Sequence, residues 1–221
     1  MDLRRKELAR MVDHTLLDPS ATRDQVRRLC EEAKSHDLYA VCVNSTWVSL
    51  AVNALRGTEV RVCSTVGFPL GASLTAVKMF EAETAVGLGA AEVDMVMSIG
   101  ALKSQDLQFV REDIKQVVKA CGKAPVKVII ETGLLNDQEK VQACKLAEEA
   151  GAAFVKTSTG FGAGCATVAD VMLMRKIVGN RLGVKAAGGI RTLRDCVAMI
   201  EAGANRIGTS NAIQILKECP A

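Results

Sequence analysis

Aromatic residues are scarce in this 221-residue chain: five Phe, one Tyr and one Trp amount to 3% of it. Stacking platforms for single-stranded nucleic acid are therefore not expected. Histidine is rarer still, with only His14 and His36. Neither HxH nor HExxH occurs, which argues against a zinc site built on imidazoles. Cysteine is present eight times but never as CxxC, the nearest pair being Cys30 and Cys42. That spacing reads as reduced thiols of the cytoplasm rather than a disulfide framework. No run approaches the roughly eighteen uncharged apolar residues of a membrane span. The opening MDLRRKELARMV lacks the apolar stretch of a secretory signal. Charge of one sign is also lacking: 28 Lys and Arg face 25 Asp and Glu, a net charge of +3, so no nucleic-acid partner is expected. With no metal and no cofactor expected, chemistry falls to Lys, Asp, Glu, Ser, Thr and Cys. The composition, 49% apolar and 24% charged, is that of an ordinary folded domain.

Short apolar, β-branched runs alternate with helical stretches. Strands are expected near Val12–Leu16, Tyr39–Val43, Arg61–Gly67, Glu92–Met97, Val126–Glu131, Phe154–Thr157, Gly183–Ala186 and Arg206–Gly208. Several, such as VKVII at 126–130, read as apolar on both faces, which suits buried parallel strands. Between them, Leu107, Val110, Ile114, Val117, Val118 and Cys121 form one amphipathic stripe. Thr22 with Gln25, Asn136 with Glu139 and Thr192 with Asp195 have the spacing of capping boxes. Eight strands alternating with helices leave a closed (β/α)8 barrel or an open doubly wound sheet, and the count of eight favours the barrel. No linker divides the chain, so one domain over 1–221 with an N-terminal helix is expected.

An internal repeat bears on the site. GAAEVD (89–94), GAAFVK (151–156) and GANRIG (203–208) each end a helix on Gly and enter a strand. One further step back reaches DLYAVC (37–42), which lacks the glycine. In this register Cys42, Asp94, Lys156 and Gly208 take equivalent places on strands two, four, six and eight, and so share one interior layer. Such a layer is not hydrophobic, which makes it a candidate site.

Lys156 lies in FVKTSTGFG, inside a buried strand where an ammonium is costly. Lys185 in GVKAAGGI holds the matching place on the next strand. Repulsion between two such lysines favours one of them as a free amine, able to form a Schiff base with a carbonyl. Asp94 is a buried partner for a lysine or a general acid and base. Cys42 reads mainly as core packing beside the cavity. AAGGI (186–190) after strand seven and IGTSN (207–211) after strand eight are placed to bind phosphate through backbone N–H groups. Ser158, Thr159 and Gly160 extend that rim. Glu131 and Thr132 stay open between site and structure, and His14 between a proton carrier and a structural histidine.

DHTLLDPSAT, YAVCVN, VGFPLGA, EVDMVMSIGAL, KVIIETGLL, FVKTSTGF, GVKAAGGIRT and ANRIGTS together resemble the deoxyribose-phosphate aldolase family in its short bacterial form, in that family's order and over nearly the whole chain. The resemblance implies a class I aldolase on a TIM barrel. Such an enzyme cleaves 2-deoxy-D-ribose 5-phosphate to D-glyceraldehyde 3-phosphate and acetaldehyde without a cofactor, in deoxyribonucleotide catabolism. It implies Lys156 as the Schiff-base lysine, Lys185 as the lysine that tunes it, and Asp94 as proton donor and acceptor, working through a water. Cys42, Thr159, Gly160, Gly188, Gly189, Ser210 and Asn211 are the implied substrate-binding residues, and the implied assembly is a homo-oligomer, a dimer. Two departures stand out: Ser45 follows Asn44 where the family usually has Pro, and the sequence carries no terminal Tyr. Competing readings are another phosphate-binding barrel, such as a transaldolase-like transferase or a sugar-phosphate epimerase, and a barrel that binds a sugar phosphate without turnover.

Overall fold

The structure is a computed structural model that describes residues 4–162 and 164–220. Eight strands, β1 (Val12–Leu16), β2 (Ala40–Val43), β3 (Arg61–Val66), β4 (Glu92–Val96), β5 (Val126–Ile129), β6 (Phe154–Lys156), β7 (Gly183–Ala187) and β8 (Arg206–Thr209), pair in parallel in sequence order. β1 pairs with β8, so the sheet closes into a (β/α)8 barrel. Among the described residues ten α-helices accompany it: α1 (Arg5–Ala9), α2 (Arg23–Ser35), α3 (Val48–Ala54), α4 (Thr75–Gly87), α5 (Ile99–Lys103), α6 (Leu107–Ala120), α7 (Asp137–Glu149), α8 (Val168–Val178), α9 (Leu193–Glu201) and α10 (Ala212–Glu218). The expected N-terminal helix is α1.

All eight expected strands are present, with shifts only at their ends. β5 stops at Ile129, short of the expected Glu131, because Glu131 turns into the left-handed region at φ 55°. The three capping boxes form, at the starts of α2, α7 and α9, and each contributes on the order of 1 kcal/mol. In α6, Val110, Ile114 and Val117 are buried as the stripe requires. The same helix buries Asp113 against Lys78 of α4 at 2.7 Å, both fully enclosed, an ion pair that locks the two helices together.

The repeat has a conformational basis. Gly89, Gly151 and Gly203 have φ of 104°, 84° and 110°. At the step where glycine is missing, Asp37 takes φ 49° instead, a conformation Asp tolerates better than most side chains. The apolar core fills the space between barrel and helices. The barrel interior is different in kind. VKVII is not apolar on both faces: its Lys127 is fully buried among the charged groups inside the barrel. The reading failed because four aliphatic residues keep the average of the run apolar, and the average hides that Lys127 faces inward.

Candidate active site

Asp94 of β4 is the hub of the interior. Its Oδ2 accepts hydrogen bonds from Lys156 Nζ of β6 and Lys185 Nζ of β7, each at 2.7 Å, and its Oδ1 accepts one from Lys127 Nζ of β5 at 2.8 Å. Strand register dictates this meeting: Asp94 pairs with Lys127, and Lys156 with Lys185. Gly208 on β8 leaves the room that Lys185 occupies, since a Cβ there would lie 3.0 Å from Lys185 Cε. The repeat register thus does bring Asp94, Lys156 and Gly208 together around Lys185.

Further charges lie beside this group. Lys185 also bonds Asp13 Oδ2 of β1. Arg206 of β8 bonds Asp13 Oδ1 at 2.8 Å and Glu92 Oε2 at 2.9 Å, and Lys127 reaches Glu92 Oε2 at 2.7 Å. The Arg206 guanidinium lies 3.5 Å from the Tyr39 ring centroid, a cation–π contact on the approach from the strand N-terminal ends. All seven ionisable groups, Asp13, Glu92, Asp94, Lys127, Lys156, Lys185 and Arg206, are buried.

Burial alone would neutralise these groups, and their mutual attraction overrides it. Burial raises the Asp94 carboxyl, yet Lys127, Lys156 and Lys185 together hold it well below the usual carboxylate range. Burial likewise opposes Asp13, but Lys185, Lys127 and Arg206 bring it down to about 2. For Lys185, burial is outweighed by Asp13 and Asp94, which hold its ammonium above the ordinary lysine range. Lys127 is raised for the same reason, chiefly by Asp94 against burial. Three carboxylates face four bases. Lys156 has a single carboxylate contact, to Asp94. Lys185 and Lys156 share one counter-ion, Asp94 Oδ2.

Cys42, Cys63 and Asp94 offer ligand atoms within 4.8 Å of one another. A metal ion would meet Lys127 there, 3.3 Å from Cys63 Sγ and bonded to Asp94, so the carboxylate is already committed to ammonium groups. Cys42 is fully buried, packs with Leu17, Cys63 and Phe68, and does not border the cavity. Burial pushes the Cys63 thiol well up, and contact with Cys42 and Asp94 adds to this.

Above the charges opens a cavity of about 400 Å³ at the strand C-terminal ends. Lys156 borders it, while Asp94 and Lys185 lie behind Lys156. Thr159, Gly160, Gly188, Gly189, Ser210 and Asn211 all line its walls. A Cβ on Gly189 would fall 2.7 Å from Cys165 Sγ, so only glycine fits that close approach. Arg191, exposed at the mouth, is a lining cation that the sequence reading did not single out. Phe161 also lines the cavity, edge-on to Phe68 at 5.4 Å between centroids. His14 faces away from the barrel interior and bonds Glu32 at 2.9 Å.

The profile of the DeoC/LacD family of aldolases matches residues 8–216. The chain belongs to this aldolase family. A deoxyribose-phosphate aldolase of Thermococcus kodakarensis is 55% identical over 222 residues, covering 99% of each chain. One from Enterococcus faecalis is 56% identical over 211 residues, covering 95% of this chain and 96% of the relative. Among solved structures, the tetrameric deoxyribose phosphate aldolase of Aeropyrum pernix superposes with a TM-score of 0.90 at 34% identity, over 96% of this chain and 91% of the other. A mandelate oxidase variant matches at TM-score 0.66 with 13% identity, a likeness of fold alone.

Among residues with family-level expectations, Ser45 departs from the usual Pro. In this aldolase Ser45–Trp47 form a single 3₁₀ turn, and Ser45 Oγ donates to Glu81 Oε1 at 2.9 Å. Glu81 Oε2 in turn accepts from the Gly67 N–H at 2.8 Å, tying the β2 and β3 loops together. Among the described residues no helix is long and apolar enough to cross a membrane.

Proposed function

We propose that this aldolase cleaves 2-deoxy-D-ribose 5-phosphate to D-glyceraldehyde 3-phosphate and acetaldehyde, reversibly, through an imine on Lys156. The observation that carries the reading is a buried lysine bordering a glycine-rimmed cavity with one carboxylate at 2.7 Å from its amine. Lys156 as the free amine attacks the C1 aldehyde to give a carbinolamine. Loss of water, with protons passed through Asp94, leaves the protonated imine. Asp94 touches Lys156 directly, so the first proton transfer needs no bridging water. A base removes the C3 hydroxyl proton, the C2–C3 bond electrons flow into the imine, and glyceraldehyde 3-phosphate departs. The resulting enamine takes a proton at its terminal carbon, and hydrolysis of the imine frees acetaldehyde and Lys156.

The substrate phosphate is assigned to the rim formed by Gly160, Gly188, Gly189, Ser210 and Asn211, with Thr159 beneath it. Backbone N–H groups of such turns suit an anion, and Arg191 adds positive charge at the mouth. Cys42 acts only through packing against Asp94, its Sγ 3.9 Å from Oδ2. A single barrel domain, a homo-oligomer and a cytoplasmic setting complete the reading. Its alternative is a barrel that binds a sugar phosphate without turnover, and three buried lysines on one aspartate disfavour it, because a pure binder gains nothing from their cost.

Two measurements decide the matter. Release of glyceraldehyde 3-phosphate from the deoxyribose phosphate is expected, as is borohydride-fixed acetaldehyde on the peptide containing Lys156. No turnover, or a label on another lysine, overturns the assignment. Lys185→Met tests the tuning. It removes the shared cation of Asp94, so Asp94 binds the Lys156 proton more strongly. The rising limb of the pH–rate profile is then expected to move to higher pH by about one unit or more, with imine trapping still at Lys156. An unmoved profile refutes the tuning role.

A further inference from the structure

Glu131 follows β5 and holds φ 55°, ψ 67°, a backbone conformation that non-glycine residues seldom adopt. What it achieves is a reach across to the loop after β6. Its Oε2 accepts from both the backbone N–H of Thr159, at 3.1 Å, and the Thr159 hydroxyl, at 2.6 Å. Thr159 Oγ1 then accepts from the Phe161 N–H at 3.1 Å, so Gly160 is bracketed by one continuous chain of hydrogen bonds. Glu131 is 2% exposed, and its other oxygen is buried with no hydrogen-bond partner.

The same loop is pressed against its neighbour. A Cβ on Gly162 would lie 2.9 Å from the Glu131 carboxyl carbon, and one on Gly164 would lie 2.7 Å from Gly133 Cα. The Ala166 N–H donates to Gly188 O at 3.0 Å, which ties this loop to the glycine turn after β7. The left-handed backbone, the two bonds to Thr159 and the unpartnered oxygen all serve one turn, and that turn borders the cavity at Thr159 and Gly160.

We propose that Glu131 is a positioning residue that sets the anion-binding rim through Thr159, and so determines preference for phosphorylated over unphosphorylated sugars. The proposal rests on the aldolase reading above for the identity of the sugar. Glu131 is enclosed and cannot touch the substrate; it acts by holding the Gly160 turn ready, so that no ordering is left to do when the anion arrives.

The test compares Glu131→Gly, which relaxes the backbone but removes the carboxylate, with Glu131→Gln, which keeps an accepting oxygen. KM and kcat are measured on 2-deoxyribose 5-phosphate and on 2-deoxyribose, and the Kd for inorganic phosphate is measured without turnover. For Glu131→Gly, a rise of about tenfold or more is expected in KM for the phosphorylated sugar and in phosphate Kd, with kcat/KM for 2-deoxyribose within about twofold. Glu131→Gln should stay within about threefold of the parent throughout. Equal losses on both sugars, or an unchanged phosphate Kd, overturn the proposal. If Glu131→Gly fails to fold, Glu131→Asn, which tolerates the left-handed backbone but is too short to hold the Thr159 bonds, carries the same expectations. A parent protein inactive on 2-deoxyribose 5-phosphate sinks the aldolase reading instead, and the phosphate Kd still judges Glu131.

Discussion

Lys156→Met is expected to abolish aldol cleavage while leaving the fold as stable as before, or more so. The loss in kcat/KM should be on the order of 10⁴-fold or greater, as for other covalent nucleophiles removed outright. Borohydride trapping of acetaldehyde should disappear with it. The expectation on stability follows from the charges. Three buried carboxylates, Asp13, Glu92 and Asp94, face four buried bases, and removing Lys156 equalises them. Asp94 keeps Lys127 and Lys185 as partners, so no carboxylate is left alone. Thermal melting should place Tm at or above that of the parent. Retention of even a hundredth of the activity, or of the label, would show that another amine carries the imine.

Asp94→Asn should do the opposite to stability. Three ammonium groups then converge on a neutral amide, and the excess positive charge inside the barrel doubles. Breaking a buried ion pair by removing one partner costs about 3–5 kcal/mol, which for a chain of this size corresponds to a fall in Tm of roughly 6–20 °C. Turnover should fall by about 10²–10⁴-fold, the usual scale for a lost acid–base group. Adding Lys127→Met to Asp94→Asn takes away one unmatched charge, and part of the lost Tm should return without the activity. An Asp94→Asn protein that melts with the parent would contradict the electrostatic account of the site. So would a double variant less stable than the single.

The barrel was legible in the sequence because each element carried its own signal: strand runs, capping boxes and the Gly-Ala repeat. Lys156, Lys185 and Asp94 stood out because each interrupts an apolar strand next to a recognisable motif. Lys127 interrupts a strand just as abruptly, but VKVII gave it no such neighbour, and only the register that pairs it with Asp94 reveals it. Glu92 and Arg206 sit two positions before Asp94 and Gly208 respectively, and a strand's period of two puts them on the same inward face. Extending the parity one step toward the strand starts would have found both. At those positions they read as ordinary strand-end charges, which are normally solvated. Glu131 was undecidable for another reason: its role depends on a left-handed backbone and on a loop 28 positions away, neither of which local pattern encodes.

Asp13 on the first strand holds Lys185 and Arg206 of the last two, 172 and 193 positions further along the chain. Those charges find their partners only when β1 meets β8. Until then Lys185 and Arg206 lack one of their two counter-ions within an apolar shell, so a barrel short of one strand is disfavoured beyond its lost packing. Cutting between β4 and β5 parts Asp94 from all three of its lysines. The charges gathered around Asp94 therefore also favour assembly of the ring as a unit. The three acids lie on β1–β4 and the four bases on β5–β8, so each half carries one sign of charge and the two match only in the closed ring.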